Sequence, residues 1–250
     1  MRVSIITIAR NAEAYMARTI ESVLRQDYPD IEYIVVDGAS TDGTMAVVER
    51  YRERIAKIVS EPDAGISDAW NKGVRMATGE VVALLNAGDS HDASCVSRAV
   101  EAIAAGKDFV YGDTLLVDDD GNVKRRNVGR FHLWFYSAGF GFYHPSCFAT
   151  RALYAKVGEY DRKLRYAMDS DWICRAVTAG ARVGKHGGLT RMVDGGVSVQ
   201  RRFAAYGEHL DALSGGGVRP WTPFLSMIMT ALRGMASTVR RRLRAPAAVT

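Results

Sequence analysis

The chain has 250 residues, 48% of them hydrophobic, three cysteines and a formal net charge of +5 at pH 7. That length buries a full core without staples, and Cys95, Cys147 and Cys174, scattered and without a CxxC pair, support neither a disulfide framework nor a zinc site. The positive excess gathers in Arg233, Arg240, Arg241, Arg242 and Arg244, so the body is near balance and no motif of aromatic residues interleaved with basic ones marks a nucleic-acid surface.

Val3 to Ile8 reads as a buried strand running into Ala9-Arg10-Asn11, and a helix follows to about Leu24, with Met16, Ile20, Val23 and Leu24 inward. No signal-peptide pattern precedes it, and no apolar stretch approaches the ~20 residues of a membrane span. Ile31 to Val36 is a second strand, leading into Asp37-Gly38-Ala39-Ser40-Thr41-Asp42-Gly43-Thr44. Met45, Val48, Tyr51 and Ile55 mark another helix, and Lys57 to Ser60 a short strand. Next, Ile66, Ala69, Trp70, Gly73, Val74 and Ala77 share one helical face, while Asp68, Asn71, Lys72 and Arg75 fall on the other. Thr78-Gly79 ends this helix, with Gly79 where a left-handed cap is cheapest. Val81 to Leu85 is an uninterrupted apolar strand of the kind buried in parallel sheets, and it stops at Asn86-Ala87-Gly88-Asp89.

This alternation, over residues 1 to about 89, is an α/β pattern: a mostly parallel sheet with helices on its faces. Ligands in such sheets lie beyond the carboxyl ends of the strands. Asp37, Asp63 and Asp89 stand at three such ends, and clustered acids there suit a metal or a hydroxyl-rich ligand rather than bare phosphate. A dinucleotide fold wants GxGxxG after the first strand and a P-loop wants GxxxxGK[ST]; neither occurs.

Beyond Asp89 the pattern changes. Val96 to Ala105 reads as helix, Phe109 to Tyr111 as strand, and Thr114 to Val117 with Asn122 to Arg126 as a hairpin about Asp120-Gly121. Residues 127 to 148 suggest a loop or lid. Arg151 to Val157 and about Ser170 to Thr178 read as helices, Gly187 to Gly196 as irregular, and Phe203 to Leu213 as helix. Ser214 to Gly217 is a flexible joint. Phe224, Leu225, Ile228, Met229 and Leu232 then form an apolar stripe ahead of the arginine cluster. Such a basic amphipathic helix either docks on the body or lies on an anionic membrane face.

The segments SIITIARN, EYIVVDGASTDGT, SEPDAGISDAWNKG, ATGEVVALLNAGD, HPSCFATRALYAKVGEYD and AMDSDWICRA follow one another as in family-2 glycosyltransferases of the GT-A fold. The chain resembles the bacterial branch that builds capsular polysaccharide, exopolysaccharide or glycolipid sugars. No single motif carries this; six in order over roughly residues 1 to 200 do. The resemblance implies a GT-A (nucleotide-diphospho-sugar transferase) domain over 1–213, with a nucleotide-binding half, 1–89, and an acceptor half, 90–213. Residues 214–250 form the C-terminal helical extension.

It further implies an inverting, non-processive transfer from a UDP- or GDP-sugar to a lipid-linked saccharide or glycolipid, in the cytoplasm and peripheral to the inner membrane face. Thr7, Ala9, Arg10, Asp37, Asp63, Gly65, Asn71, Lys72, Asn86 and Gly88 fall at the donor positions. Asp37 alone reads equally as a turn residue; the resemblance makes it an acceptor for the donor's base. Asn86-Ala87-Gly88-Asp89 takes the place of the DXD element, which leaves Asp89 to hold Mg²⁺ or Mn²⁺ beside the diphosphate. Asp169 becomes the general base that takes the acceptor's proton, with Asp171 its helper or a helix cap. His144 falls near the acceptor, and Arg201 and Arg202 in a cationic lid. Two rivals are a sugar nucleotidyltransferase, whose Gly-rich arginine loop is absent, and a catalytically silent nucleotide- or sugar-binding protein, motivated by Asn86 and Gly88.

Overall fold

The structure is a computed structural model that describes residues 1–131, 141–195, 204, 205, 207–209 and 211. Its first part alternates β1 (Val3–Ala9), α1 (Glu13–Leu24), β2 (Ile31–Asp37), α2 (Thr44–Glu49), β3 (Lys57–Ser60), α3 (Ile66–Met76) and β4 (Val81–Asn86). A two-residue β5 (Ser90–His91), α4 (Cys95–Ala104), β6 (Phe109–Val117) and β7 (Val123–Asn127) follow. After a 3-10 turn at His144–Ser146 come β8 (Phe148–Thr150), α5 (Arg151–Val157), α6 (Met168–Thr178) and β9 (Val183–Val193).

One sheet runs β3-β2-β1-β4-β8-β6-β9-β5, with β7 beside the far end of β6. The β3-β2-β1-β4 portion is wholly parallel, as expected for strands apolar on both faces. Beyond β4, β8 is antiparallel to both β4 and β6, and β9 runs parallel to β6. One core layer packs Ile6, Ile34 and Leu84 against Trp70 of α3, Leu153 of α5 and Trp172 of α6. The other packs Ile5, Val35 and Leu85 against Met16 and Ile20 of α1, Val48 of α2 and Val96 and Ala99 of α4. Helices therefore cover both faces. No helix among the described residues is long and apolar enough to cross a membrane.

Several expectations change. The expected hairpin strand and the strand before it are one continuous β6. The stretch from Gly187 is ordered: β9 spans Val183–Val193, and its glycines belong to the packing. A Cβ on Gly188 would sit 2.8 Å from the Cys95 Cα at the start of α4, closer than side chains tolerate. Gly79 is not left-handed, since it is absent from the positive-φ residues. A Cβ there would lie 2.7 Å from the Ser4 amide nitrogen, so close approach of β1 explains it. The two faces of α3 also blur: Asp68 and Asn71 are buried, while Ile66 is 36% exposed.

Candidate active site

The loops after β1, β2, β3 and β4 open on one side of the sheet, because parallel strands present their carboxyl ends together. Asp37 ends β2 in register with Ala9 and Ser60. Its buried carboxylate accepts from the Ser40 amide at 3.0 Å, the Ser60 hydroxyl at 2.6 Å and the Ser40 hydroxyl. Backbone there is held in the left-handed region at Asn11 (φ 49°) and Ala39 (φ 55°), a strain that collects at functional sites. The Asn11 side chain accepts from the Thr41 amide, and the Asn11 amide donates to the Ser40 hydroxyl, both at 2.8 Å, so the first two loops interlock. Exposed Arg10 lies 4.0 Å from Asp63, which in turn accepts from the amide of Gly65 at 2.9 Å. Gly65, at φ 120°, opens α3 in a conformation that glycine alone adopts cheaply. Ala9, Arg10, Asp37, Asp63 and Gly65 thus share one rim.

Three expected donor contacts lie elsewhere. Thr7 is buried in β1, and its hydroxyl accepts from the Tyr33 hydroxyl at 3.0 Å. Asn71 is 1% exposed; its amide NH2 donates to the Tyr160 carbonyl at 2.9 Å and its oxygen accepts from the Tyr160 amide at 2.8 Å. It is a clamp between α3 and the segment before α6, with both polar ends occupied. The Lys72 ammonium binds Glu61 at 2.9 Å, Asp68 at 3.6 Å and the Pro62 carbonyl at 2.8 Å, which ties it to its own loop.

At the end of β4, Gly88 takes φ 106°. The Thr19 hydroxyl of α1 braces the turn, accepting from the Gly88 amide at 2.9 Å and donating to the Asp89 carbonyl at 2.8 Å. The Asn86 oxygen accepts from the Trp70 indole N–H at 3.3 Å. Since only the amide oxygen can accept, the NH2 of Asn86 points the other way, and no described residue is bonded to it. Asp89 is buried and accepts from the Val193 amide of β9 at 3.2 Å. Burial raises its pKa to about 7, against the lowering effect of that amide and of the Arg18 charge.

The expected metal role of Asp89 does not fit this donor set. A hard divalent cation takes one or two ionised carboxylates with phosphate and water. Asp89 is enclosed against β9 instead, with one oxygen taken by the Val193 amide and its pKa raised to about 7, and Asn86 is neutral.

Facing this turn is an aromatic floor. Trp70 stacks on His144 with centroids 4.6 Å apart, and Tyr160 lies 5.0 Å from Trp70. His144 Nε2 and the Tyr160 hydroxyl are 3.3 Å apart, and the Tyr160 and Tyr154 hydroxyls 3.1 Å. Burial lowers the His144 pKa to about 4, so the ring is neutral at physiological pH, and its Nδ1 has no partner among the described residues. Two further histidines fix the turn from behind: His91 Nε2 donates to the Pro145 carbonyl at 2.9 Å and His186 Nε2 to the Ser146 carbonyl at 2.8 Å.

Asp169 lies in the first turn of α6. Burial raises its pKa, partly offset by the Ser170 amide and by His209. It is close enough to Cys147 and Tyr160 for its charge to act on both, which places it at the same floor as His144. Asp171 is not part of it: it binds Arg175 one turn on, at 2.8 Å. Arg201 and Arg202 lie outside the described residues. Trp70, Tyr160, Glu208 and His209 were missed in the sequence, Trp70 because its spacing marks only a core face.

A parallel four-strand half with polar strand ends, joined to a mixed half that carries an enclosed carboxylate, is the GT-A arrangement of nucleotide-sugar transferases. The family model described as glycosyl transferase family 2 matches residues 4–155, and the chain belongs to that family. A PGL/p-HBAD biosynthesis glycosyltransferase of Mycobacterium bovis is 31% identical over 175 residues, 68% of this chain and 66% of its own length, just short of two thirds. The putative teichuronic acid biosynthesis glycosyltransferase TuaG of Bacillus subtilis is 37% identical over 102 residues, 40% of each chain. Among solved structures, the mannosyltransferase PcManGT of Pyrobaculum calidifontis, in complex with GDP-Man and Mn²⁺, matches with a TM-score of 0.69 and 22% identity. That match covers 98% of this chain and 81% of the other.

Proposed function

We propose that this protein is an inverting, non-processive glycosyltransferase that moves a sugar from a UDP- or GDP-sugar to a lipid-linked saccharide or glycolipid of the cell surface. Family membership and the nucleotide sugar in the PcManGT complex support the donor class. The biosynthetic names of the mycobacterial and Bacillus relatives support the setting. The rim of Ala9, Arg10, Asp37, Asp63 and Gly65 would take the nucleotide, and Asn86 with Gly88 the diphosphate side, where the Asn86 NH2 is a donor for anionic or hydroxyl oxygen.

The observation that carries the reading is the enclosed Asp169 carboxyl beside the aromatic floor, opposite the end of β4. In the step proposed, the acceptor hydroxyl oxygen bonds to the anomeric carbon as the bond from that carbon to the diphosphate oxygen breaks. The hydroxyl proton passes to Asp169, and the pair of electrons leaves with the nucleoside diphosphate. A base desolvated in this way is stronger than a free carboxylate, which suits it to proton removal near neutral pH. The basic tail of 214–250 is proposed to hold the enzyme on the inner membrane face, near a lipid-borne acceptor.

A screen of UDP- and GDP-sugars for hydrolysis and transfer tests this. Asp169→Asn should lower transfer by roughly 100- to 10,000-fold and leave donor affinity in place. Tight nucleotide binding without turnover of any donor would favour the silent binder instead.

A further inference from the structure

The helix that carries Asp169 begins without a cap of its own. Ala167 stands at the N-cap and offers no side-chain acceptor, although the first amides of a helix need partners. The turn that leads into it, up to the N-cap amide, is held from a distant segment instead. Glu208 Oε2 accepts from the amides of Arg165, Tyr166 and Ala167 at 3.0, 2.7 and 3.2 Å. Three successive amides converging on one oxygen make an anion-binding concavity, and bonds from amides to a carboxylate are the strong, charge-assisted kind.

The next residue, His209, is 8% exposed and acts electrostatically on Asp169. Among the described residues, that carboxyl also interacts with Ser170 and Cys174 of α6, Cys147 beside the His144 turn, and Tyr160 before α6. Burial raises the pKa of Cys147, Tyr160 and Cys174, so they stay neutral and bring no positive charge. The segment docked by Glu208 brings the imidazole.

We propose that Glu208 and His209 are positioning residues for Asp169: the Glu208 carboxylate, bonded to three successive amides, fixes the entrance of α6 and so holds the adjacent buried His209 ring near the base. The inference rests on the assignment of Asp169 as base. A carboxylate bonded to three amides sets the angle at which α6 leaves the 165–167 turn, and a misplacement of 1 Å is enough to cost a reaction ~100-fold. Loss of the imidazole leaves burial unopposed on that side, so Asp169 holds its proton to higher pH.

The test compares the full-length protein with Glu208→Gln, Glu208→Ala, His209→Gln and Asp169→Asn, reading kcat and KM for transfer, the pH profile of kcat, and hydrogen exchange of the 165–170 amides. His209→Gln should move the acid limb of the kcat profile to higher pH, with donor KM little changed. Glu208→Gln should lower kcat by roughly 10- to 100-fold and speed amide exchange at 165–167. Acetate, a free carboxylate, should restore part of kcat in Glu208→Ala. If Asp169→Asn is inactive while His209→Gln keeps the wild-type acid limb and Glu208→Gln keeps kcat, the positioning roles are wrong and the base stands. Full activity in Asp169→Asn removes the base and this inference with it. Should the Glu208 variants fail to fold, His209→Gln, which leaves the three amide bonds intact, decides alone.

Discussion

Two buried acids at opposite ends of the parallel strands, Glu32 and Asp89, are treated in opposite ways. At the amino end, Glu32 accepts from the Lys57 ammonium at 2.7 Å, the Ser4 hydroxyl at 2.5 Å, and the Thr78 amide and hydroxyl at 2.7 and 2.9 Å. Burial alone would raise its pKa, yet these partners lower it to about 2. At the carboxyl end, Asp89 has one amide partner and a pKa raised to about 7. Asp169, across the floor, is raised as well. An acid surrounded by donors is a structural tie, whereas an acid starved of them is held ready to take a proton. The difference separates Glu32, which ties the fold, from Asp89 and Asp169; Asp37, at the carboxyl end but bonded to Ser40 and Ser60, is held as Glu32 is.

The sharpest way to test that division is to remove the charge at the amino end. Glu32→Gln keeps the shape but meets the Lys57, Ser4 and Thr78 donors with one oxygen and an NH2, so it should destabilise by about 2–3 kcal/mol at neutral pH. The pH dependence has a definite sign. Glu32 has a folded pKa below its unfolded one, so its stabilisation is present above about 4.5 and is lost as pH falls towards about 2. Urea midpoints for wild type and variant should therefore differ most above that window and converge below it. A constant gap at every pH would mean that packing, not charge, ties this end.

The carboxyl end should answer with the opposite sign. Asp89 has a folded pKa of about 7 against an ordinary 3.8, so its burial is tolerated while it is protonated and becomes a burden as pH rises through 7. Asp89→Asn, whose oxygen can still accept from the Val193 amide, should be more stable than wild type by about 1–2 kcal/mol above that pH, with the gain gone below pH 3.8. A variant that is less stable than wild type above pH 3.8 and equal to it at lower pH would show that Asp89 is ionised and paired, and the contrast with Glu32 would collapse.

Much of this was legible in the residues. Alternating apolar strands and amphipathic helices mark the parallel half through β4, because each element there has a single period and a clear stop such as Asp37-Gly38 or Asn86. β9 was not legible: Gly187 and Gly188 read as loop, since nothing local shows that Cys95 of α4 presses against that backbone. Thr7 and Asn71 carry polar groups at positions that motif order assigns to ligand, yet Tyr33 and Tyr160 claim them from elsewhere in the fold. Glu208 has no sequence signal at all, because the amides it serves lie more than 40 residues earlier in the chain. What sequence order cannot show is which polar groups are already satisfied, and that decides which remain for a substrate.

The smallest expected effect concerns a neutral group at the same carboxyl end. Trp70→Phe keeps a ring against His144 and Tyr160 but deletes the indole N–H that fixes the Asn86 oxygen. The Asn86 amide is then free to turn either face to the donor, and about half of its orientations present oxygen to an anionic diphosphate. A bond of 3.3 Å is a weak one, worth roughly 0.5–1 kcal/mol, so donor KM should rise about two- to fivefold with kcat changed by less than about twofold. That split matters more than its size. An amide that only binds the donor alters KM alone, whereas a fall in kcat at constant KM would mean that Trp70 and Asn86 act on the leaving group as it departs. In that event orientation at this end, and not only the protonation of its acids, would belong to the chemistry.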